Sequence, residues 1–428
     1  MSRLQIGPGP LRGAIVAPPS KSYTHRELVA SFLAAGRSQL IRPLVSDDTT
    51  VTRRGLERLG ARVIAGRRSW LIEPPRADRR ISHRGYTIDC GQSGTSLRLL
   101  AALAATCTVP ITLTGRPQLA RRPIGPLLDV LERAGASIRR APRGLSTPTT
   151  VTGPIHSVSG AVETSQSSQF LSALLLVLPS IEGTSQLHRT GIGVSEPYVA
   201  ATLDVLHRRG VIWESSGRTM RLRGPVKYRA SRARIPGDAS SAAYLWAGAA
   251  ISGGSVLVRG VPLNRPQGDL SILGILERMG AHLRTAAGGV RVDGAPLHGI
   301  SVELTNAPDL VPLVGVLGAF SKGSTWIRGA THAGLKESDR RARTADLVRA
   351  LGGTARSTLR RIRVRPGRRP LPLRWTESED HRLVMSAAIG ALGAGSESTV
   401  GDARLVAKSY PDFWRSLGQL GADLRRTL

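Results

Sequence analysis

Lysine is nearly absent from this chain. Of 60 cationic side chains five are lysines, Lys21, Lys227, Lys322, Lys336 and Lys408, and the rest are arginines. Arginine is a planar fork that stays charged, whereas lysine is a compact charge on a flexible stem with a pKa that its surroundings can move. A chain that writes arginine elsewhere therefore marks its lysines as candidates for chemistry. Acidic residues are also scarce, 30 against 60, and the formal charge is +30. That balance points to an anionic partner or to a compositional bias toward arginine. The arginines run along the whole chain rather than forming a tail, which favours bias for most of them. Aromatic residues are 4% of the chain, which weakens a single-stranded nucleic-acid reading, since that wants stacking platforms. The two cysteines, Cys90 and Cys107, fit neither a zinc spacing nor a disulfide framework and read as buried thiols. No apolar run is long enough to span a bilayer, and the opening MSRLQIGPGP lacks the apolar core of a signal peptide, so a cytoplasmic protein is expected.

What is present is a globular chain. Its 428 residues are 41% hydrophobic, enough for two or three domains with cores of their own. A period runs through it. Six helix-like segments end in Leu, a short spacer and Gly: GLERLGARV, VLERAGASI, VLHRRGVIW, ILERMGAHL, LVRALGGTA and SLGQLGADL. Their glycines, Gly60, Gly135, Gly210, Gly280, Gly352 and Gly421, lie 69 to 75 residues apart. Upstream of each is a second, almost wholly apolar helix-like segment, with starts near Ser20, Ser93, Ser167, Ser240, Asp309 and Asp380. Short strand-like pieces such as SQLIRPL, PITLTG and STWIRG lie between the paired helices, and ARVIAG or ASIRRA follows the second. The chain thus reads as six copies of one α/β unit, grouped as two compact domains of three units.

The first turns of the apolar helices carry Ser, Thr, Asp, Gln and Gly. Capping explains the hydroxyls and carboxylates. It does not explain Lys21, Arg26, Arg98 and Arg382 near the same ends, where a cation opposes the helix dipole unless an anion lies between. An anionic ligand at the helix starts is the expectation. KESDRR (336–341) adds Lys336, Glu337, Asp339 and Arg340 in one turn, and EDHR with AKSYPDF adds a His, an Arg and Lys408.

In order, PSKSYTHR, GQSGTSLR, LARRP, SSQFLSALL, SEPY, PGDASSA, PDLVP, KESDR, DHR and KSYPDF resemble the motifs of the 5-enolpyruvylshikimate-3-phosphate synthase family. Each is weak alone; the ordered set over nearly the whole chain is specific, and three of the five lysines fall inside it. The resemblance implies a two-domain inside-out α/β barrel of six βαβαββ units, three per domain about a pseudo-threefold axis. Residues 1–18 with 235–428 would form one domain and 19–234 the other, with the active site in the cleft between them. It implies transfer of the enolpyruvyl group of phosphoenolpyruvate to the 5-hydroxyl of shikimate 3-phosphate, with release of phosphate and no cofactor or metal. The implied partners are these two small molecules, with neither nucleic acid nor membrane, and a monomeric chain.

The resemblance also implies roles. Lys21 would touch both substrates, with Ser22 and Arg26 on shikimate phosphate. Gly94 would leave room for phosphoenolpyruvate, and Arg122 would bind its phosphate. Ser167 and Ser168 would hold the shikimate phosphate, Gln169 would reach both substrates, and Ser195 and Tyr198 would lie on the shikimate side. Asp309 would serve as base for the 5-hydroxyl, with Lys336 binding shikimate phosphate near it. Glu337 would protonate the methylene carbon, Arg340 and Arg382 would clamp the carboxylate of phosphoenolpyruvate, and Lys408 would assist the departing phosphate. Glyphosate would compete with phosphoenolpyruvate beside Gly94. His332 stands where the family usually has Asn or Gln, Gln92 replaces a common Asn, and GRPQLARRP lacks a common acidic residue. Asp238, with no cation at its helix start, is expected to be a structural cap. Two other readings are weighed. A UDP-N-acetylglucosamine enolpyruvyl transferase typically has Lys-Asn in the first motif and uses a loop Cys, whereas here Ser22 follows Lys21. A basic RNA-binding or RNA-end-processing protein is favoured by charge and opposed by the low aromatic content.

Overall fold

A computed structural model describes residues 3–75, 85–286, 288–377 and 379–427. The chain divides into two compact units, Met1–Pro18 with Pro236–Leu428, and Pro19–Ile235. Each has its own apolar core. Ile235 goes with the second because its N–H bonds Ile41 O.

Among the described residues the strands form six four-stranded sheets with one pattern. The unit from Tyr86 illustrates it. Strand Tyr86–Asp89 runs parallel to Ile111–Thr114, and helix Gly94–Ala104 makes the crossover that a parallel pair requires. Helix Gly125–Arg133 follows, and then Ser137–Arg139 and Thr149–Thr152 form an antiparallel pair whose second strand lies against Ile111–Thr114. Alternation along the strands turns Ile111, Leu113 and Val151 inward, and Thr112 and Thr150 bond each other through their hydroxyls at 3.0 Å.

Three sheets are completed from far along the chain. Arg232–Arg234 supplies the parallel edge strand beside Ser38–Ile41. Arg12–Val16 does the same for Ser255–Arg259. Arg3–Ile6 lies antiparallel between Ser398–Gly401 and Leu424–Thr427. The first 18 residues therefore join the last half of the chain through backbone ladders.

The first helix of each repeat is the core. All nine residues of Val311–Ala319 and all twelve of His381–Leu392 are buried, as expected of a helix apolar on every side. Close packing leaves no room at Gly315, where a Cβ would fall 2.2 Å from Thr344 Cγ2. The second helices are amphipathic, and all six end alike. The repeat glycine follows the last turn with φ between +79° and +107°. Its N–H bonds a carbonyl three residues back, and the next residue's N–H reaches back five, as from Ala61 to Leu56 O. This is the left-handed turn that satisfies the last helical carbonyls and favours glycine, so the Leu-spacer-Gly period is a helix stop signal written six times. Asp238 caps Ala239–Ser252 by accepting from the Ser241 N–H at 3.0 Å. Cys90 is buried, with a thiol pushed up by burial. Cys107 is half-buried rather than buried, with Sγ 3.7 Å from Leu103 O. No described helix is long and apolar enough to cross a membrane.

Candidate active site

The polar residues singled out in the sequence fall into two clusters, one on each unit. In Pro19–Ile235 the cluster grows from helix starts. Ser20 caps Lys21–Phe32, which sets Lys21 in its first turn. Lys21 Nζ lies 2.9 Å from Asp48 Oδ2, itself in the first turn of the helix Asp47–Arg58. The Asp48 carbonyl accepts from Ser96 Oγ at 3.1 Å, and Ser96 bonds the cap Ser93 at 2.7 Å. Thr52 continues this network to Ser96 and to His25 Nδ1, each at 2.8 Å. Burial lowers the His25 pKa to about 3, so the ring is neutral.

Arg26 and Arg98 are engaged by the protein. Arg26 donates to Thr202 Oγ1, Ser22 O and Tyr198 O at 2.8 to 2.9 Å. Arg98 donates to Pro123 O through two nitrogens and to Gln169 Oε1 at 2.7 Å. These two cations bridge helix starts and loops, so their place near a helix start does not require an anion. The same bonds gather the expected ligands. Gln169 also reaches Thr95 Oγ1 at 3.1 Å, and its N–H is capped by Ser167 Oγ at 3.2 Å. Ser168 is buried beside it. Ser195 begins the helix that carries Tyr198 and sits at φ 57°, ψ 39°, a left-handed conformation uncommon for a non-glycine and often found at ligand-holding positions.

Gly94 lies against Arg122. A Cβ there would stand 2.6 Å from Arg122 Cζ and Nη1. The missing side chain lets a buried guanidinium lie against the start of helix Gly94–Ala104.

In the other unit the cluster is a knot of opposite charges. Arg340 is 1% exposed and meets three carboxylates. It bonds Asp380 Oδ2 at 2.7 Å through Nε, Asp309 Oδ1 at 2.6 Å and Glu337 Oε2 at 2.6 Å. Burial alone would lower its pKa; Asp380, Glu337 and Asp309 outweigh burial and raise it. Asp309 also lies 2.7 Å from Arg382 and 3.9 Å from Lys336. Burial would raise the Asp309 carboxyl, but Arg382, Arg340 and Lys336 hold it well below the usual carboxylate range. Glu337 Oε1 is 3.4 Å from Lys408 Nζ. The 3-10 turn Thr331–Leu335 packs on Pro308–Leu310, which sets His332 beside Asp309. Burial first, then Lys336, lowers the His332 pKa to about 3.

Sequence reasoning missed three carboxylates. Asp380 caps His381–Leu392 and forks Arg340; its place just before His381 and Arg382 was the available signal. Asp48 holds Lys21, and nothing in SDDTT marks it apart from a first-turn acid. Asp269 is buried and accepts from Ser240 Oγ. Burial, then the Asp309 charge, pushes its pKa up to about 6.

Comparisons with known proteins identify the family. The profile of the family EPSP synthase (3-phosphoshikimate 1-carboxyvinyltransferase) matches residues 6–417. The chain is 38% identical over 426 residues to the 3-phosphoshikimate 1-carboxyvinyltransferase of Halobacterium salinarum, covering 98% of each. It is 37% identical over 414 residues to that of Methanoregula boonei, covering 95% of this chain and 96% of the relative. Among solved structures, EPSP synthase from Acinetobacter baumannii matches with a TM-score of 0.80 at 24% identity, covering all of both chains. The enolpyruvyl transferase NikO from Streptomyces tendae matches with a TM-score of 0.80 at 21% identity, covering 100% of this chain and 99% of that one. At those identities the structural likeness establishes the fold alone, the two-domain inside-out α/β fold. The chain belongs to the EPSP synthase family.

Proposed function

We propose that this chain transfers the 1-carboxyvinyl group of phosphoenolpyruvate to the 5-hydroxyl of shikimate 3-phosphate and releases phosphate. Family membership supports the reaction. The observation that carries it onto these residues is Asp309 among Arg340, Arg382 and Lys336, with Glu337 between Arg340 and Lys408. This sets two carboxylates that share Arg340 among cations, as addition followed by elimination needs.

In the addition step Asp309 would take the hydroxyl proton and Glu337 would deliver one to the methylene carbon. The substrate oxygen bonds to C2 of phosphoenolpyruvate, giving a tetrahedral intermediate. In the elimination the new methyl returns a proton, the C–O bond to phosphate breaks, and phosphate leaves with its electron pair. Lys408 would offset charge on the leaving phosphate, and Arg382 would hold the carboxylate. Lys21, Ser22, Arg26, Arg122, Ser167, Ser168, Gln169, Ser195 and Tyr198, all of the other unit, would bind the substrates. His332 would face the shikimate ring as a neutral donor or acceptor. The chain would work as a cytoplasmic monomer.

Asp309 held below its usual range is a weak base. The substrates bring carboxylate and phosphate charge to its cations, and this raises its proton affinity when the complex forms. The deciding experiment is phosphate release from purified protein given shikimate 3-phosphate and phosphoenolpyruvate, with each omitted in turn. Release requiring both, with a product of the condensed mass, supports the reading. No release from folded protein overturns it.

A further inference from the structure

Composition treats arginine as dispersed, yet between Arg356 and Arg374 there are eight arginines and no acidic residue. We propose that the outer face of the sheet built from Ser301–Glu303, Thr325–Arg328, Arg361–Arg365 and Thr354–Ser357 binds single-stranded nucleic acid.

Strand alternation makes this face. Ile362 and Val364 point into the core, so Arg361, Arg363 and Arg365 point outward. The register sets Arg356 directly opposite Arg363, and Trp326 opposite Arg363 on its other side. Arg328 is opposite Arg361. Like charges directly across a ladder are destabilising, and this sheet keeps them. Elsewhere on the surface arginines carry carboxylates, as in Arg37–Glu73, Arg140–Asp129 and Arg349–Asp346. Among the described residues none of the eight from Arg356 to Arg374 has an ion pair, and Arg363 Nε is buried without a hydrogen-bond partner. The one carboxylate on the face, Glu303, is opposite Arg328 and bonds Thr305.

The face also holds its own aromatic platform. The Arg361 and Arg363 guanidiniums lie 5.3 and 4.8 Å from the Trp326 ring centroid. They are thus held against an indole, as forks for phosphate and as planes on which bases stack. An extended row of unpaired forks suits a linear polyanion with repeating phosphates better than a single small anion. A membrane surface is the rival occupant, and the exposed Leu359 in the hairpin turn is the feature that would serve it. The strands themselves project no aliphatic side chain outward from this face.

The test is anisotropy of a fluorescein-labelled oligouridylate of about 16 nucleotides at several salt concentrations. The intact chain is compared with Arg356→Ser/Arg361→Ser/Arg365→Ser and with the control Arg223→Ser/Arg232→Ser/Arg234→Ser, which removes the same charge from exposed positions of the other unit. The face variant is expected to bind at least about 10-fold more weakly, with the log–log salt slope smaller by about 2, since each phosphate contact on a single strand contributes about 0.7. The control should stay within about twofold, and turnover should be unchanged in both. Should the triple variant fail to fold, Arg356→Ser and Arg365→Ser singly should each lower the slope by about 0.7. Equal loss in face variant and control, no binding by the intact chain, or binding to phosphatidylserine vesicles without binding to RNA would each overturn the proposal.

Discussion

Replacing Arg340 by Met separates two readings of that residue. If Arg340 serves mainly to clamp a substrate carboxylate, its loss raises the KM for phosphoenolpyruvate and spares stability. The structure instead makes it the hub of Asp309, Glu337 and Asp380, all at 2.6 to 2.7 Å. Removing one partner of a buried pair leaves an uncompensated charge and costs about 3–5 kcal/mol. For a unit of this size that is a fall in Tm of about 10 °C. The pH dependence carries a sign. In the intact chain Asp309 is held low, so its contribution is present above the ordinary carboxylate pKa and is lost as pH falls through its lower folded value. Without Arg340, Asp309 keeps Arg382 and Lys336 but loses one of the cations that hold it low, so part of that contribution is gone. The deficit should therefore be largest at pH 8 and shrink as pH falls toward the folded Asp309 value. Urea unfolding read by tryptophan fluorescence suits the question, because Trp246, Trp326, Trp375 and Trp414 lie in this unit. A deficit below about 1 kcal/mol at pH 8, or one that does not change with pH, would refute the hub.

Other perturbations test the rest of the site. Lys21→Met should abolish turnover while leaving the fold intact, and near-normal phosphate release would remove Lys21 from the chemistry. Gly94→Ala should push the Arg122 guanidinium off the helix start, since Cβ would lie 2.6 Å from Cζ. It should raise the KM for phosphoenolpyruvate and weaken glyphosate; equal kinetics and equal inhibition in both proteins would show that Gly94 sets no contact there. Asp269 holds its proton up to about 6, above its ordinary 3.8, so its contribution to stability is full below about 4 and is lost as pH rises through 6. Asp269→Asn should consequently unfold at higher urea than the intact chain at pH 8 and not at pH 4, and the absence of any gain at pH 8 would be the contrary result. For Asp309 as base, the acid limb of kcat should lie at higher pH than that of kcat/KM, because bound anions offset its cations; coincident limbs would argue against it.

The repeat was legible because it is local. Six Leu-spacer-Gly endings and six apolar helices are patterns within a few turns of chain, and helix stops and buried helices are decided at that range. The completed sheets were less so. RLQI at the start is four residues with no repeat signal, and its place between Ser398–Gly401 and Leu424–Thr427 is set by long-range ladders. At the site, residue types were legible and partners were not. Arg26 and Arg98 are read from sequence as free cations at helix starts, but their acceptors include the carbonyls of Ser22, Tyr198 and Pro123, and every residue has a carbonyl. The three carboxylates around Arg340 come from positions 309, 337 and 380, whose meeting only the fold decides.

The two clusters differ in how their charge is held before any substrate arrives. In Pro19–Ile235, Lys21 leans on Asp48, while Arg26 and Arg98 rest on neutral acceptors. In the other unit carboxylates hold the cations, and the distances rank how closely. Arg340 is gripped at 2.6 to 2.7 Å and buried with Asp380. Lys336 stands 3.9 Å from Asp309 and Lys408 3.4 Å from Glu337. A buried cation gripped by three close carboxylates gains little by exchanging them, whereas a cation more than 3 Å from its carboxylate gains a full charge-assisted bond. Arriving phosphate and carboxylate groups should therefore draw Lys336 and Lys408 away from Asp309 and Glu337 and leave Arg340 in place. Each lysine that turns to substrate releases a carboxylate from a neighbouring charge. Binding then arms both proton-transfer groups, and it does so with lysines, whose compact, movable charge suits the exchange better than a rigid fork.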